Sequence, residues 1–476
     1  MNAIELKNVT FTYEGNENAV LKNADMYVKY GEISLISGFS GEGKSTILSL
    51  ICGIIPNVVF GKISGDVLID GKSVMGLKMS EICQKVGVVL QNADSQIINS
   101  VVEDEIAFGC ENFGFSADEI TKCITSSCST LKLDKNWQTR TLSGGQKQRL
   151  ITASTLATKQ KIIVLDEPLA NLDKKGAELL MNTLKNLAKL RYAILIVEHR
   201  LDMVMPYVDT LWSISNGKIE KINNKDEYLV SQCKKIQDKS LSKPKNENVL
   251  ELSSIAFSVN SREILKKVNL SVKRGERVLL LGENGCGKTT LMRVIARLNK
   301  PTKGTITQNI DKKLKQNFKA DKKWFKNVGV VYQNPNYQLF MPTVFQEIAF
   351  GAESEEYANK IIELFKLKDL SDRHPQSLSE GQKRRVSIAS VVATKPKVLL
   401  LDEPTVGQDY AGLRDMIDVL NKLHDETGNT MITVTHDMRC AQALCDKCFI
   451  LEEGVIMWQG NKILAEKYFC QDINKV

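Results

Sequence analysis

Two short segments of the chain have the residue types and spacing of a phosphate-binding loop. One begins at Gly38 and reads GFSGEGKS, and the other begins at Gly282 and reads GENGCGKT. Each segment follows an apolar, strand-like run and precedes a helix-like one. Glycines in such a turn let backbone N–H groups converge on phosphate oxygens at a helix N-terminus. The pattern therefore predicts that nucleotide phosphates bind at two places.

Both P-loops end in a lysine that is followed by hydroxyl side chains. The lysine adds a mobile positive charge, and a hydroxyl can supply a ligand to Mg²⁺. A glycine-rich turn that merely joins a strand to a helix is the alternative, and two full matches at corresponding places argue against it. The predicted nucleotide contacts are Gly38, Ser40, Gly41, Gly43, Lys44, Ser45 and Thr46 in the first loop, and Gly282, Asn284, Gly285, Gly287, Lys288, Thr289 and Thr290 in the second.

Two adjacent carboxylates close an aliphatic run in each half of the chain. Asp166 and Glu167 follow one run, and Asp402 and Glu403 follow the other. Near a P-loop, the aspartate is placed to hold Mg²⁺, and the glutamate can polarise a water aimed at the γ-phosphate. A strand that simply ends in solvent is the alternative explanation. The nearby P-loops favour the catalytic one.

A third motif also occurs twice. The chain reads TLSGGQKQRL from Thr141 and SLSEGQKRRV from Ser377. A serine followed three residues later by glutamine fits a capping box, so helix initiation alone explains the pattern. The same helix start would also present a hydroxyl, free N–H groups and the positive end of the helix dipole, which form a second anion site.

All three motifs belong to a tandem repeat with a period of roughly 240 residues, so each copy has the length of a domain. Apolar β-branched runs that end at glycine-rich turns and precede helical stretches predict an α/β domain with a largely parallel sheet. ELKNVTFTY and VLELSSIAF instead alternate apolar and polar residues, which predicts an antiparallel flank. The predicted organisation is a first domain at 1–230, a polar, lysine-rich linker at 231–247 and a second domain at 248–476.

Composition excludes several function classes. The 64 basic residues exceed the 56 acidic ones by only eight, and no arginine-rich tract is present, so we expect no nucleic-acid partner. The start of the chain lacks the pattern of a signal peptide, and no apolar run approaches the roughly 18 residues needed to cross a bilayer. The eleven cysteines are scattered, and free thiols in a reducing compartment fit better than a metal site. These features predict a cytoplasmic chain.

The order of P-loop, LSGGQ-type phrase, Asp-Glu-Pro and a later histidine, in IVEHR and VTHD, resembles the ATP-binding-cassette ATPases. The resemblance covers almost the whole chain, twice. It implies two P-loop cassette domains, each with a RecA-like parallel sheet core, an antiparallel β flank and a helical subdomain. It also implies hydrolysis of ATP with Mg²⁺ as cofactor. The two cassettes would form an intramolecular head-to-tail pair. Each ATP would lie between the P-loop of one cassette and the LSGGQ-type phrase of the other, which we call the signature phrase.

The resemblance further assigns roles to single residues. Gln91 and Gln333 would link Mg²⁺ and the attacking water to a membrane partner, and His199 and His436 would contact the γ-phosphate. The implied catalytic residues are Glu167, His199 and Gln91 in the first cassette, and Glu403, His436 and Gln333 in the second. The implied Mg²⁺ ligands are Ser45, Gln91 and Asp166, and Thr289, Gln333 and Asp402.

Further nucleotide contacts are implied outside the P-loops. Tyr13 would stack on adenine, whereas the matching position in the second cassette is Val259, which departs from the family pattern. Asp173, in LANLD, and Asp409, in VGQD, would cross the interface between the cassettes. The implied signature contacts are Ser143, Gly145 and Gln146, and Ser379, Gly381 and Gln382.

The stretch after each glutamine resembles a particular class of cassette. QNADSQIINSVVEDEIAFG and QNPNYQLFMPTVFQEIAFG are similar to the ATPases of energy-coupling factor importers, including the cobalt and nickel relatives. In that class the stretch lines a groove that receives coupling helices of a transmembrane subunit. The groove would be apolar at Ile97, Ile98, Leu339 and Phe340, and acidic at Asp94, Glu103, Asp104, Glu105 and Glu347.

The resemblance therefore implies a peripheral ATPase on the cytoplasmic face of the cell membrane. It would drive uptake of a vitamin or metal ion through a transmembrane coupling subunit and a membrane-embedded substrate-binding subunit. A tandem sugar-importer ATPase is one alternative. A soluble translation factor of the cassette class, acting on ribosomes, is another.

Overall fold

In the computed structural model, the described residues form two compact units, Met1–Lys234 and Lys235–Val476. No helix in the described ranges is both long enough and apolar enough to span a membrane. The predicted linker at 231–247 lies largely outside the described residues. The described residues are 2–39, 41–170, 172–232, 246–259, 262–310, 315–316, 320–408 and 410–470.

The first unit contains two sheets. Its strands are β1 (Asn2–Tyr13), β2 (Leu21–Lys29), β3 (Ile33–Ser37), β4 (Gly61–Ile69), β5 (Lys72–Ser73), β6 (Val86–Val89), β7 (Ile162–Asp166), β8 (Ala193–Val197), β9 (Thr210–Ser215) and β10 (Lys218–Ile222). Its helices are α1 (Lys44–Ile51), α2 (Ile54–Asn57), α3 (Met79–Cys83), α4 (Ala93–Gln96), α5 (Val102–Asn112), α6 (Ala117–Leu131), α7 (Gly144–Ala157), α8 (Lys174–Lys189), α9 (Leu201–Val204) and α10 (Lys225–Gln232).

The larger sheet of this unit has the strand order β10-β9-β3-β8-β7-β6. Every pairing in it is parallel except that of β10 with β9. Strands β3 and β8 are buried along their whole length, as continuous apolar runs are in a parallel sheet that is covered on both faces. The smaller sheet, β2-β1-β4-β5, is antiparallel. A third layer forms where α5, α6 and α7 enclose a separate apolar cluster.

The second unit repeats this architecture. Its strands are β11 (Asn248–Val259), β12 (Arg262–Lys273), β13 (Arg277–Leu281), β14 (Lys303–Gln308), β15 (Lys315–Gln316), β16 (Val328–Val331), β17 (Val398–Asp402), β18 (Thr430–Val434), β19 (Lys447–Glu452) and β20 (Val455–Gly460). Its helices are α11 (Lys288–Ile295), α12 (Lys322–Asn327), α13 (Val344–Ala349), α14 (Glu355–Leu364), α15 (Glu380–Val392), α16 (Tyr410–Thr427), α17 (Met438–Ala443) and α18 (Lys462–Cys470).

Its larger sheet has the order β16-β17-β18-β13-β19-β20, with only β20 antiparallel, and its smaller sheet is β12-β11-β14-β15. The predicted α/β fold is therefore confirmed in both units. The antiparallel flanks predicted from the alternating segments are also confirmed, because those segments become β1 and β11. The helical subdomains correspond to α5–α7 and α13–α15.

Candidate functional sites

The parallel sheet of each unit gathers the predicted site residues at one edge. In the first unit the P-loop follows β3, Gln91 follows β6, Glu167 follows β7 and His199 follows β8. Carboxyl ends of parallel strands face the same way, so residues that are far apart in sequence meet there. The second unit places its P-loop, Gln333, Glu403 and His436 after β13, β16, β17 and β18 in the same manner.

The first P-loop has the backbone that its glycines permit. Gly41 and Gly43 have φ angles of 86° and 102°, and Gly43 precedes α1 without any side-chain cap. The first-turn N–H groups of α1 are thus left without a capping side chain, which suits an anion. The ammonium group of Lys44 turns back over the loop and donates to the carbonyls of Gly38 and Phe39, at 2.8 and 2.7 Å.

The second P-loop repeats this geometry. Lys288 donates to the carbonyls of Gly282 and Glu283, at 2.8 and 2.9 Å. Gly282 has a φ of 149°, and a Cβ there would lie 2.3 Å from the carbonyl oxygen of Leu451, so only glycine fits. Gly287 precedes α11 with a φ of 109°, again without a side-chain cap. Both loops are therefore shaped for close approach of a phosphate to the backbone.

The hydroxyl residues predicted to contact nucleotide or Mg²⁺ lie in the first turns of the two P-loop helices. They are Ser45 and Thr46 in α1, and Thr289 and Thr290 in α11. The phenol of Tyr13 hydrogen-bonds to the Thr46 hydroxyl at 2.8 Å, and its ring meets Phe11 edge-to-face with centroids 4.9 Å apart. The tyrosine is thereby fixed beside the P-loop helix. Two predicted residues, Ser40 and Asp409, lie outside the described residues.

Glu167 is the hub of the first site. Its Oε2 accepts a hydrogen bond from the Gln91 side chain at 2.8 Å, and its Oε1 lies 3.3 Å from Nε2 of His199. Its own N–H donates to the carbonyl of Val197, and its φ is 46°, so the backbone turns sharply where β7 ends. The structure thus brings together the three residues predicted to be catalytic in the first cassette.

The pKa values of the two neighbouring carboxyls, Glu167 and Asp166, are shifted in opposite directions. Burial acts to raise the pKa of Glu167, but the hydrogen bonds and charges of its neighbours outweigh burial and hold that pKa below its usual value. Burial and the Glu167 charge raise the pKa of Asp166 to about 7, against the opposing effects of His199 and Lys44. Glu167 therefore ionises at lower pH than Asp166, and a cation beside Asp166 would favour ionisation of Asp166.

The contacts of Glu403 in the second unit differ from those of Glu167 in the first. Oε1 of Glu403 lies 3.4 Å from Nε2 of His436, and Oε2 accepts the backbone N–H of His436 at 3.2 Å. Nε2 of His436 also lies 3.1 Å from Oδ1 of Asn284 in the P-loop. Among the described residues, the Gln333 side chain has no hydrogen bond, whereas its backbone carbonyl accepts one from the buried Arg384. The glutamate and histidine pair is common to both units, and the glutamine contact is specific to the first.

Asp402 provides a test of the predicted Mg²⁺ site. Its Oδ1 is buried and has no hydrogen-bond partner within the described ranges. Burial raises the pKa of Asp402, and the Thr289 hydroxyl and the charges of Lys288 and Arg384 oppose that rise. A buried carboxylate oxygen beside a hydroxyl is the kind of hard oxygen donor that Mg²⁺ prefers. The residues at this edge therefore fit the ion.

Both signature phrases form the predicted capping box. Ser143 Oγ accepts the N–H of Gln146 at 3.3 Å, and the Gln146 side chain accepts the N–H of Ser143 at 2.8 Å. Ser379 and Gln382 make the same pair of bonds at the start of α15. The serine oxygens are therefore occupied as helix caps. A second anion site at these helix starts stays a prediction.

Other signature-phrase residues are packed closely. Gly145 is buried in the first turn of α7, and a Cβ at Gly381 would lie 2.6 Å from the carbonyl oxygen of Gly407. Glu380, which stands where the first unit has Gly144, has its carboxylate 3.3 Å from the ammonium of Lys383. This ion pair lowers the charge that the carboxylate presents to its surroundings.

Asp173 has a local partner. It caps α8, where its Oδ1 accepts the N–H of Gly176 at 2.8 Å. In the first unit Asp173 therefore fixes the start of a helix at the end of the LANLD segment. Contact of this residue with another cassette stays a prediction.

The stretch after each glutamine departs from expectation. Glu105 is 4% exposed and accepts the N–H groups of Ile98 and Asn99, at 3.0 and 2.7 Å. Glu347 is likewise 4% exposed and accepts the N–H groups of Phe340 and Met341, at 2.8 Å each. The expectation that these two glutamates face a partner is wrong, because they anchor the backbone from inside.

Some of the apolar residues in these stretches are buried and others are exposed. Leu339 is 5% exposed and belongs to the core, so its predicted place in a groove is wrong. Ile97 is only partly buried and packs against the core of its unit. Ile98 and Phe340 are 70% and 67% exposed, and they form the accessible apolar surface. Asp94 and Glu103 are paired with lysines of their own unit, which reduces the charge they offer to a partner.

Sequence reasoning missed Glu198, a buried carboxylate next to His199. Its two oxygens accept three backbone N–H groups, those of Leu169, His199 and Arg200. A signal existed in the repeat, because the first half reads VEHR where the second half reads VTHD. A glutamate that replaces threonine beside a candidate catalytic histidine marks a local difference between the two sites.

The comparison with protein families gives one family over both units. The model described as ABC transporter matches residues 21–170 and 265–406. YkoD of Bacillus subtilis, provisionally named an HMP/thiamine import ATP-binding protein, is 33% identical over 503 residues, with 96% of this chain and 91% of YkoD covered. A provisionally named ABC transporter ATP-binding protein of Methanosarcina mazei is 31% identical, with 95% of this chain and 94% of the relative covered.

Solved structures with the same fold include ribosome-associated proteins. An archaeal ribosome recycling factor, aABCE1, solved with the ribosomal stalk protein aP1, matches with a TM-score of 0.67 and 19% identity. The match covers 98% of this chain and 92% of that one. At this level of identity the similarity shows the fold alone.

Proposed function

Since this chain belongs to the ABC transporter family and is therefore an ABC-type ATPase, we propose that it is the energy-coupling subunit of an importer of the energy-coupling factor type. It drives uptake of a vitamin or metal ion through a transmembrane coupling subunit and a membrane-embedded substrate-binding subunit. It acts as a peripheral protein on the cytoplasmic face of the membrane. The name of YkoD, an import ATP-binding protein, supports an importer.

One observation carries the proposal: the stretch after each glutamine displays an apolar side chain on a firmly anchored backbone. We call residues 91–99 and 333–341 the coupling segments. Glu105 and Glu347 fix these segments from inside, and Ile98 and Phe340 point outward. Such exposed apolar positions on ordered backbone suit a helix of a membrane partner.

The second coupling segment has two exposed aromatic side chains. Phe340 meets Phe350 edge-to-face with centroids 5.7 Å apart, and Tyr337 is also highly exposed. Aromatic side chains supply large contact area at interfaces. The exposed apolar residue is Ile98 in the first coupling segment and Phe340 at the matching position of the second, so we expect the two segments to receive partner helices of different sequence.

ATP hydrolysis follows from the geometry at the two sheet edges. The P-loops bind the phosphates, and Lys44 and Lys288 move from the loop carbonyls to the phosphate charge. Glu167 and Glu403 accept a proton from the attacking water, and the histidines beside them hold the glutamates in place.

Mg²⁺, when bound, neutralises charge that develops on the phosphates. The residues that would hold it are Ser45, Gln91 and Asp166 in the first unit, and Thr289, Gln333 and Asp402 in the second. All of these side chains offer oxygen atoms, as the ion requires.

Replacement of the exposed apolar residues tests the proposal. The double variant Ile98→Asp, Phe340→Asp adds charge to both coupling segments at exposed positions, so folding and ATP turnover in solution should stay within twofold of the parent. Binding to membranes that carry the importer subunits should be lost, as measured by co-sedimentation. The matched control is Leu190→Asp, Ile463→Asp, which changes apolar residues that are also more than half exposed but lie elsewhere, and it should leave membrane binding intact.

Two results would contradict the proposal. Membrane binding that persists in the Ile98→Asp, Phe340→Asp variant would show that the coupling segments are not the docking surface. Sedimentation of the parent chain with ribosomes instead of membranes would favour the translation-factor alternative. Uptake of labelled vitamins, metal ions and sugars can be compared in cells with and without the chain. Uptake of a sugar that depends on the chain would favour the sugar-importer alternative over the vitamin or metal-ion importer.

A further inference from the structure

A hydrogen-bonded brace connects two loops of the first unit. One loop contributes Leu169 and Leu172, which lie shortly before Asp173, and the other is the loop around His199. Glu198 receives the N–H of Leu169 on Oε2 at 3.0 Å, and those of His199 and Arg200 on Oε1 at 2.8 and 3.0 Å. One buried carboxylate therefore binds both loops.

Arg200 completes the brace from the opposite direction. Its Nη1 donates to the carbonyl oxygens of Leu169 and Leu172, at 3.0 and 2.9 Å. Glu198 and Arg200 thus make five hydrogen bonds: three join the two loops, and two hold the backbone of the His199 loop itself. Bonds that involve a charged partner are stronger than neutral ones, and leaving a buried carboxylate without donors is costly. The relative position of the two loops is consequently fixed.

The two units also differ in which carboxylate accepts the backbone N–H of the histidine. In the second unit, where Thr435 replaces Glu198, the backbone N–H of His436 donates to the carboxylate of Glu403. In the first unit, Glu198 takes the equivalent N–H of His199. Oε2 of Glu167 is then available to the side chain of Gln91, which occupies it at 2.8 Å.

We propose that Glu198 and Arg200 are positioning residues for ATP hydrolysis in the first unit. They hold the backbone of His199, so that its imidazole stays on Glu167 while the Gln91 amide takes the other carboxylate oxygen. The second unit has Thr435 at the position of Glu198, so the two units hold their catalytic glutamates by different means. The inference rests on the proposed roles of Glu167 and His199.

Two substitutions remove the brace in different ways. Glu198→Thr installs the residue that the second unit carries at this position, which makes a folded variant the expected result. Arg200→Met keeps the apolar stem and removes both bonds to the carbonyls of Leu169 and Leu172. Arg200→Lys is the conservative variant, because an ammonium group can still donate to one of these carbonyls, and it should recover part of any loss.

Kinetics and NMR of the histidines give independent readouts. In full-length chain that carries Glu403→Gln, whose remaining turnover reports the first unit, both brace variants should lower kcat roughly tenfold with KM for ATP within twofold. The chain has four histidines, so each imidazole can be followed by isotope labelling. The His199 signal, assigned with His199→Asn, should move or broaden while the His436 signal stays unchanged.

Arg274→Met is the matched control. Arg274 also donates to two backbone carbonyls, those of Asn309 and Ile310, but in the second unit and away from the sheet edge. It should leave kcat and the His199 signal as in the parent. The proposed positioning role is refuted if Glu198→Thr and Arg200→Met leave the His199 signal unchanged. This NMR result can be obtained even if the ATP turnover of the parent is too low to measure. Full turnover of Glu167→Gln in the same chain would instead overturn the proposed function of the site.

Discussion

His199 and Glu167 face each other across the ends of two neighbouring parallel strands, with Nε2 3.3 Å from Oε1. The second unit repeats the relationship between His436 and Glu403 at 3.4 Å. A carboxylate in this position can accept a proton from water only while it is ionised. The neighbours of Glu167 hold its pKa below the usual value in spite of burial, so the glutamate is kept in that state.

The first prediction concerns the two glutamates. Glu167→Gln and Glu403→Gln keep the size of the side chain but remove the proton acceptor. We expect each variant to bind ATP and to hydrolyse it more slowly at the affected site, by roughly a hundredfold or more. Nucleotide binding by calorimetry and release of phosphate measure the two effects separately. Full ATPase activity in the double variant would falsify the assignment of these residues.

A second prediction concerns the adenine base. Tyr13 is fixed by Thr46 and Phe11, whereas Val259, 46% exposed, offers no ring at the corresponding position. Stacking of a base on an aromatic ring is worth about 1 to 3 kcal/mol. In Lys44→Ala, where the second P-loop provides the remaining binding, ATP should be preferred over GTP less strongly than in Lys288→Ala.

Titrations of the two lysine variants with ATP and GTP measure this difference. Tyr13→Val in the Lys288→Ala background is the control, because it removes the ring from the first unit and should lower its selectivity to that of the second. Equal base selectivity in all three proteins would contradict a stacking role for Tyr13.

A third prediction follows from the buried glutamates of the coupling segments. Glu347→Ala removes the acceptor of two backbone N–H groups, those of Phe340 and Met341, and should cost about 1 to 3 kcal/mol of stability. Both N–H groups bind the same oxygen, so Glu347→Gln keeps an acceptor and should cost less. Chemical denaturation gives the stability, and hydrogen exchange of residues 340–341 should rise most in the alanine variant.

An alternative outcome would assign Glu347 to the partner instead. If Glu347→Ala leaves both the stability and the exchange of this segment unchanged but abolishes membrane binding, its carboxylate contacts the transmembrane subunit directly. The burial of the side chain makes this result unexpected.

Motifs with fixed spacing were predictable from the sequence. The P-loop lysines, the Asp-Glu pairs and the capping boxes occupy local patterns whose geometry hardly depends on the rest of the chain. The strand order that brings Gln91, Glu167 and His199 together was implied only by resemblance, because spacing alone does not reveal which strands are neighbours. The fold then placed these three residues within hydrogen-bonding distance or close to it.

The direction of side chains in and beside the coupling segments was not predictable. Leu339 and Phe340 are adjacent apolar residues, and no periodicity in an irregular segment tells which one enters the core. Glu105 in α5 and Glu347 in α13 look like surface charges in the sequence, yet each is buried and accepts two backbone N–H groups of the coupling segment before its helix. The role of Glu198 depends on Leu169, which is 29 residues away, so no local pattern shows it.

The last prediction is a pH dependence of stability in the second unit. His424 lies buried in α16, with Nδ1 2.9 Å from the carbonyl oxygen of Asn429. Burial and the nearby Arg277 lower the pKa of His424, against the smaller opposing effects of Asn429 and Asp446. The folded unit therefore resists protonation of this ring. Above the unfolded pKa, near 6.5, neither state is protonated and His424 causes no change.

As pH falls below that value, the unfolded chain takes up a proton that the folded unit does not. The free energy of unfolding should then decrease, by at most about 1.4 kcal/mol per pH unit for one proton. His424→Gln has no titrating ring, so its stability should fall less between pH 7.5 and 5.5 than that of the parent. Hydrogen exchange of α16 and β18 reports the second unit directly. Parallel pH profiles for the two proteins would show that His424 is protonated equally in both states, in contradiction to its buried contact with Asn429.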